Sequence, residues 1–97
     1  IFAQGNASDM NFEFAGYPNP FKNNIALTYE LPYNGTVRLT VFNAVGDMVG
    51  VLVNDYQNAG AYKMNYSGEN LKSGMYTFRL EFVGQEKSEC LVLKMIH

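Results

Sequence analysis

From Tyr76 to Phe82 the chain alternates without a break, with Tyr76, Phe78, Leu80 and Phe82 on one parity and Thr77, Arg79 and Glu81 on the other. Successive side chains of a strand point to opposite faces, so this order specifies a strand with one apolar face and one polar face. On a helix the same residues would scatter around the axis and leave no coherent stripe. A half-apolar strand needs a second layer to cover it, and the rest of the chain offers more strands of the same kind. Ile25, Leu27, Tyr29 and Leu31 alternate with Ala26, Thr28 and Glu30, and Val37, Leu39 and Val41 alternate with Arg38 and Thr40. Tyr62, Met64 and Tyr66 share a parity in the segment 61–66, and Met10, Phe12 and Phe14 share one before Gly16. Further strands are predicted over 48–53, where a near-continuous apolar run leaves the buried face ambiguous, and from about Glu86 to Ile96.

Breakers separate these runs at short intervals. Pro32 to Gly35 carries a proline and an Asn-Gly pair, Gly46-Asp47 marks a tight turn, Asn54 to Gly60 reads as a polar loop, and Gly84-Gln85 leads into the final strand. About seven strands with turns every 8 to 12 residues and no helical period predict an immunoglobulin-like antiparallel β-sandwich. The inter-sheet disulfide and buried Trp of antibody domains are absent, because the chain has one Cys and no Trp. Fourteen Phe and Tyr residues, seven of each, supply rings for such a core.

The segment Tyr17-Pro18-Asn19-Pro20-Phe21 is a rigid elbow. Each proline holds its own φ near about −65° and pushes the preceding residue toward extended geometry, which excludes a helix or a central strand. Asn19 is suited to an Asx-type turn, and the rings of Tyr17 and Phe21 are expected to anchor the corner in the core. A corner at this position is expected to join the two sheets.

At 97 residues the chain is long enough for a single domain, placed at residues 10–97, after a small polar linker or frayed N-terminus at residues 1–9. A net charge of −2 with scattered Lys and Arg gives no footprint for nucleic acid or an anionic membrane surface. One Cys, one His and no Gly-rich phosphate loop predict no metal, no cofactor and no catalytic site, and no small-molecule substrate is assigned. Cys90 reads as a small buried hydrophobe, and His97 as an end without a role. Asn6, Asn34 and Asn65 each open an Asn-x-Ser/Thr triplet and are read as turn residues. Tyr62, Tyr66 and Tyr76 are expected in the core. Tyr33, Tyr56 and Asn58, on loops, are the candidates for a sugar or protein contact.

Taken in order, these elements resemble the C-terminal sorting domain (type A) of proteins exported by the type IX secretion system of Bacteroidetes. That family's opening Tyr-Pro-Asn-Pro-Phe is matched at residues 17–21, its Leu-Pro-x-x-Gly-x-Val by Leu31, Pro32, Gly35 and Val37, and its Val-x-Asn-x-x-Gly by Val41, Asn43 and Gly46. Ala59-Gly60, Leu71, Ser73-Gly74-Met75-Tyr76, Arg79-Leu80 and the closing Leu91-Val92-Leu93-Lys94 follow in the same order, so the likeness runs from Tyr17 to the end of the chain. The resemblance implies an immunoglobulin-like, non-catalytic export address. It also implies that cargo passes through the periplasm to the outer membrane, cell surface or medium, and that a sortase removes the domain and anchors the cargo. The partners it implies are the outer-membrane shuttle and sortase proteins. Their recognition is expected at Tyr17, Pro18, Asn19, Pro20, Gly74, Leu91, Val92, Leu93 and Lys94, with processing in the linker Gly5 to Asp9. The alternative reading is a surface immunoglobulin-like module that binds glycan or protein. The cargo and the oligomeric state are left open.

Overall fold

The alternating segments become seven strands in a computed structural model that describes residues 12–69 and 71–97. They are β1 (Glu13–Tyr17), β2 (Asn24–Leu31), β3 (Gly35–Phe42), β4 (Met48–Gln57), β5 (Gly60–Ser67), β6 (Met75–Gly84) and β7 (Ser88–Ile96). Every pairing is antiparallel, in a three-stranded sheet ordered β1-β2-β5 and a four-stranded sheet ordered β4-β3-β6-β7. The two apolar faces meet between the sheets, as expected of an immunoglobulin-like sandwich.

The core is built from the parities read in the sequence. Ile25, Leu27, Tyr29 and Leu31 of β2 lie opposite Val37, Leu39 and Val41 of β3 and Tyr76, Phe78, Leu80 and Phe82 of β6, all buried. Phe78 is fully enclosed and takes edge-on contacts from Phe21 at 6.5 Å and Tyr66 at 5.9 Å, so rings from both sheets converge on it. Tyr62 and Tyr66 are half-buried against this core, with Tyr62 stacked on Tyr29 at 5.3 Å. The core role expected for the tyrosines at 62, 66 and 76 holds.

Several local expectations are corrected. The elbow does not carry the chain from one sheet to the other: β1 and β2, on either side of it, pair directly in the same sheet, with Gly16 opposite Leu27 and Tyr17 opposite Ala26. Tyr17 is half exposed rather than an anchor, because it continues β1 on the parity that faces away from the core. Phe21 alone fills the anchoring role. Strand β4 extends through most of the stretch read as a polar loop, since Val37, Thr36 and Gly35 of β3 pair with Asp55, Tyr56 and Gln57 and so satisfy that backbone. Register shifts at Leu39/Thr40 and Val41/Phe42 resolve the ambiguity of the apolar run in β4, turning Met48, Val49 and Val51 toward solvent and leaving Leu52 and Val53 half-buried. The start of the first strand at Met10 and the linker at residues 1–9 lie outside the described residues, where β1 begins at Glu13.

Cys90 is exposed, not buried. Its position opposite Glu81 places it on the outer face of the four-stranded sheet, one parity away from the half-buried Leu91. That outer face carries an unusual row, Val51–Thr40–Arg79–Val92 across the four strands. The Arg79 guanidinium lies over the Phe42 ring at 4.6 Å, and Thr40 within the row is fully buried.

Two expectations follow for stability. Phe78→Ala should cost about 3–5 kcal/mol in urea unfolding, because it empties the meeting point of the two sheets, whereas Val45→Ala on an exposed turn should stay within about 0.5 kcal/mol. Burial raises the Tyr29 hydroxyl above its ordinary pKa, opposed by the bond to Gln57, whose amide can turn to donate to the phenolate. Burial also raises Tyr66. Unfolded tyrosines ionise at about pH 10, so the stability from keeping these hydroxyls protonated is complete below that pH and lost as pH rises toward the higher folded values. Thermal unfolding followed from pH 8 to 11 should show a midpoint that declines only above about pH 10, less steeply in Tyr29→Phe.

Candidate functional site

The two ends of the resemblance, the elbow and the last strand, form one surface. Asn19 and Phe21 are joined to Ile96 by two hydrogen bonds: the Ile96 N–H donates to Asn19 Oδ1 at 3.0 Å, and the Phe21 N–H donates to the Ile96 carbonyl at 2.8 Å. The Asn19 side chain thus takes the place of a strand's carbonyl, and the elbow pairs the outer edge of β7 for one residue. Both X-Pro bonds of the elbow, Tyr17-Pro18 and Asn19-Pro20, are cis. The elbow is a suture between the sheets made by hydrogen bonds rather than by the path of the chain.

A second set of bonds holds the end of β7. The His97 N–H donates to the Gly74 carbonyl at 2.8 Å, and the Gly74 N–H donates to the His97 carbonyl at 3.2 Å. Gly74 has φ +151°, a backbone geometry that side chains disfavour, which accounts for glycine in Ser73-Gly74-Met75. The His97 ring packs on Phe21 at 4.7 Å, and its Nε2 bonds the Gly68 carbonyl at 2.6 Å. Gly68 is buried beneath these rings: a Cβ there would lie 2.9 Å from Phe21 Cε2 and 3.0 Å from His97 Nε2. Its N–H donates to the Asn23 carbonyl at 2.6 Å just beyond the elbow.

His97 therefore has a structural role that the sequence did not suggest, and Gly68 supplies the space that this role requires. Neither carried a signal, because both depend on residues distant in the chain. The only trace was a glycine within Ser67-Gly68-Glu69-Asn70, which turn chemistry explains equally well.

The predicted recognition residues divide by parity. Leu91 and Leu93 turn inward and are half-buried against the core, with Leu93 Cδ1 3.4 Å from where a Cβ on Gly16 would lie. Val92 and Lys94 face outward, and Val92 is half exposed. Tyr17, Pro18, Asn19 and Pro20 are all exposed beside the end of β7, and Gly74 lies at its rim. The structure thus brings the elbow and Gly74 to the end of β7 at Ile96 and His97, leaves Val92 at mid-strand and Lys94 nearer that end with both facing outward, and packs Leu91 and Leu93 against the core. Strand β7 is the last in its sheet, so beyond the residue covered by the elbow its outward N–H and C=O groups have no strand partner among the described residues.

The Asn43 turn explains another part of the sequence pattern. Asn43 Oδ1 accepts from the N–H groups of Val45 at 3.1 Å and Asp47 at 2.9 Å, and Gly46 takes φ +91°, so both motif residues serve the β3–β4 connection.

Sandwiches of this kind host many unrelated functions, so the architecture alone assigns none. A family model described as the secretion system C-terminal sorting domain matches residues 15–94, which span the elbow and all but the last two residues of β7. The chain belongs to this family of type IX secretion C-terminal sorting domains. Members are export signals that engage the type IX secretion machinery, deliver cargo to the outer membrane or cell surface, and are non-catalytic as a family. No curated protein matches the chain.

The suture can be tested by removal. Asn19→Ala should leave the fold intact, cost about 1 kcal/mol, and speed amide exchange at Ile96 by about fivefold. Gly68→Ala should cost about 1–3 kcal/mol in chemical unfolding, because the added methyl displaces Phe21 or His97.

Proposed function

We propose that the export machinery reads this domain at the composite of the Tyr17 to Pro20 elbow, Gly74 and the outward side of Leu91 to Lys94. In this reading an outer-membrane shuttle protein binds the surface, a sortase cuts in the linker Gly5 to Asp9, and the released cargo is anchored at the cell surface. The observation that carries the proposal is the pair of hydrogen bonds from Asn19 and Phe21 to Ile96, which makes two segments far apart in sequence a single rigid feature. Next to that feature, the outward edge of β7 offers backbone groups for strand addition, while Val92 and Lys94 offer an apolar and a cationic contact for selectivity. Leu91 and Leu93 contribute by holding the strand on the core.

The test is a fusion of the full chain behind a periplasmic reporter in a host competent for type IX secretion. The wild-type fusion should reach the cell surface, and Val92→Asp combined with Lys94→Glu should retain most of the reporter in the periplasm. The same pair should keep the unfolding midpoint of the wild type, because both side chains face solvent. Wild-type delivery by a folded double variant would remove the β7 surface from the proposal.

A further inference from the structure

Tyr33 and Tyr56 line the same open cleft at the end of the sandwich opposite the elbow. The cleft has a volume of about 990 Å³ and lies between the β2–β3 turn, the β6–β7 turn and the end of β4. It is separated from the elbow by the length of β2, eight residues or about 25 Å. Tyr56 is not on a loop, as the sequence suggested, but on β4, paired with Thr36 and two-thirds exposed. Tyr33 is 40% exposed, and its ring is braced from behind by Phe12 at 6.4 Å, which rests edge-on against Phe82 at 5.0 Å. The Tyr33 ring is therefore held in place while remaining open to solvent, and Tyr56 is positioned by the pairing of its backbone in β4.

The polar wall is also preformed. Asn34 Oδ1 accepts the Ala59 N–H at 2.7 Å, which ties the β2–β3 turn to the β4–β5 turn and leaves the Asn34 amide group free to donate. Gln85, Glu86 and Lys87 line the opposite side with acceptors and donors, and their opposite charges cancel. Exposed aromatic faces on rigid supports, amide and carboxylate groups at the rim, and no net charge form the chemistry that recognises a pyranose. The apolar face of the sugar stacks on a ring while its hydroxyls bond at the edge.

We infer that this cleft binds a neutral oligosaccharide, with Tyr33 and Tyr56 as stacking platforms and Asn34, Gln85 and Glu86 as hydroxyl partners. The inference is independent of the export reading, and its location leaves the elbow and β7 free while a glycan is bound. An extended proline-rich peptide is the competing occupant of a two-tyrosine cleft. It is disfavoured because such grooves are chiefly aromatic, whereas here the two tyrosines share the lining with four amide or charged side chains, Asn34, Gln85, Glu86 and Lys87.

The experiment is an NMR titration of the full chain with cellohexaose, maltohexaose and chitohexaose, and in parallel with decaproline. At least one sugar should give saturable shifts confined to Tyr33, Asn34, Tyr56 and residues 85–87. Tyr33→Ala and Tyr56→Ala should each weaken binding about tenfold with an unchanged fold, and Val45→Ala at the opposite end should leave binding unchanged. Absence of saturable shifts with all three sugars would overturn the inference, as would shifts elsewhere on the surface, equal affinity in the tyrosine variants, or saturation of the cleft by decaproline alone.

Discussion

Everything in this molecule depends on two sheets having only each other to cover their apolar faces. Among the described residues neither the three-stranded nor the four-stranded sheet has a helix to lie against it, and no disulfide ties them, since Cys90 is the single cysteine and stands exposed on the outer face. Cohesion rests on ring packing around Phe78, which draws Phe21 from the elbow and Tyr66 from β5 onto β6. The aromatic content of the chain is the physical substitute for the staple that antibody domains use.

Phe21 connects this core to the elbow. Its ring is buried against Phe78 and stacked near His97, while its N–H bonds the Ile96 carbonyl. The elbow is thus positioned by the core below and by the edge of β7 beside it. A surface built from this suture has its geometry set within the domain. The aromatic cleft at the other end is supported in the same manner, through Phe12 and Phe82 beneath Tyr33. Two surfaces at opposite ends of one core can be occupied without competing.

Much of this was legible in the chain. Strand parity in β2, β3, β5 and β6 follows directly from period-two alternation, and so do the buried apolar residues of β2, β3 and β6, whereas the burial of Thr40 on the polar parity of β3 does not. The family motifs were readable as well, and their local reasons are now plain: Asn43 and Gly46 build a turn, and Gly74 adopts a backbone unsuited to side chains. Alternation could not tell which strand lies next to which. The elbow was therefore read as a passage between sheets, when β1 and β2 are neighbours in one. The burial of Cys90 was misjudged for a related reason: parity separates two faces of a strand, but only the sheet order says which face is covered.

The sequence by itself determined the all-β class, the alternating core and the family, because these rest on local periodicity and on residue types at short spacing. The tertiary structure alone decided what the elbow does. Its bonds to Ile96 span 77 positions for Asn19, and the contacts of His97 with Gly68 and of Tyr33 with Tyr56's cleft likewise join residues that no local rule relates. Such pairings are chosen by the packing of two sheets against each other, a global minimum of buried apolar surface that short-range patterns constrain without specifying.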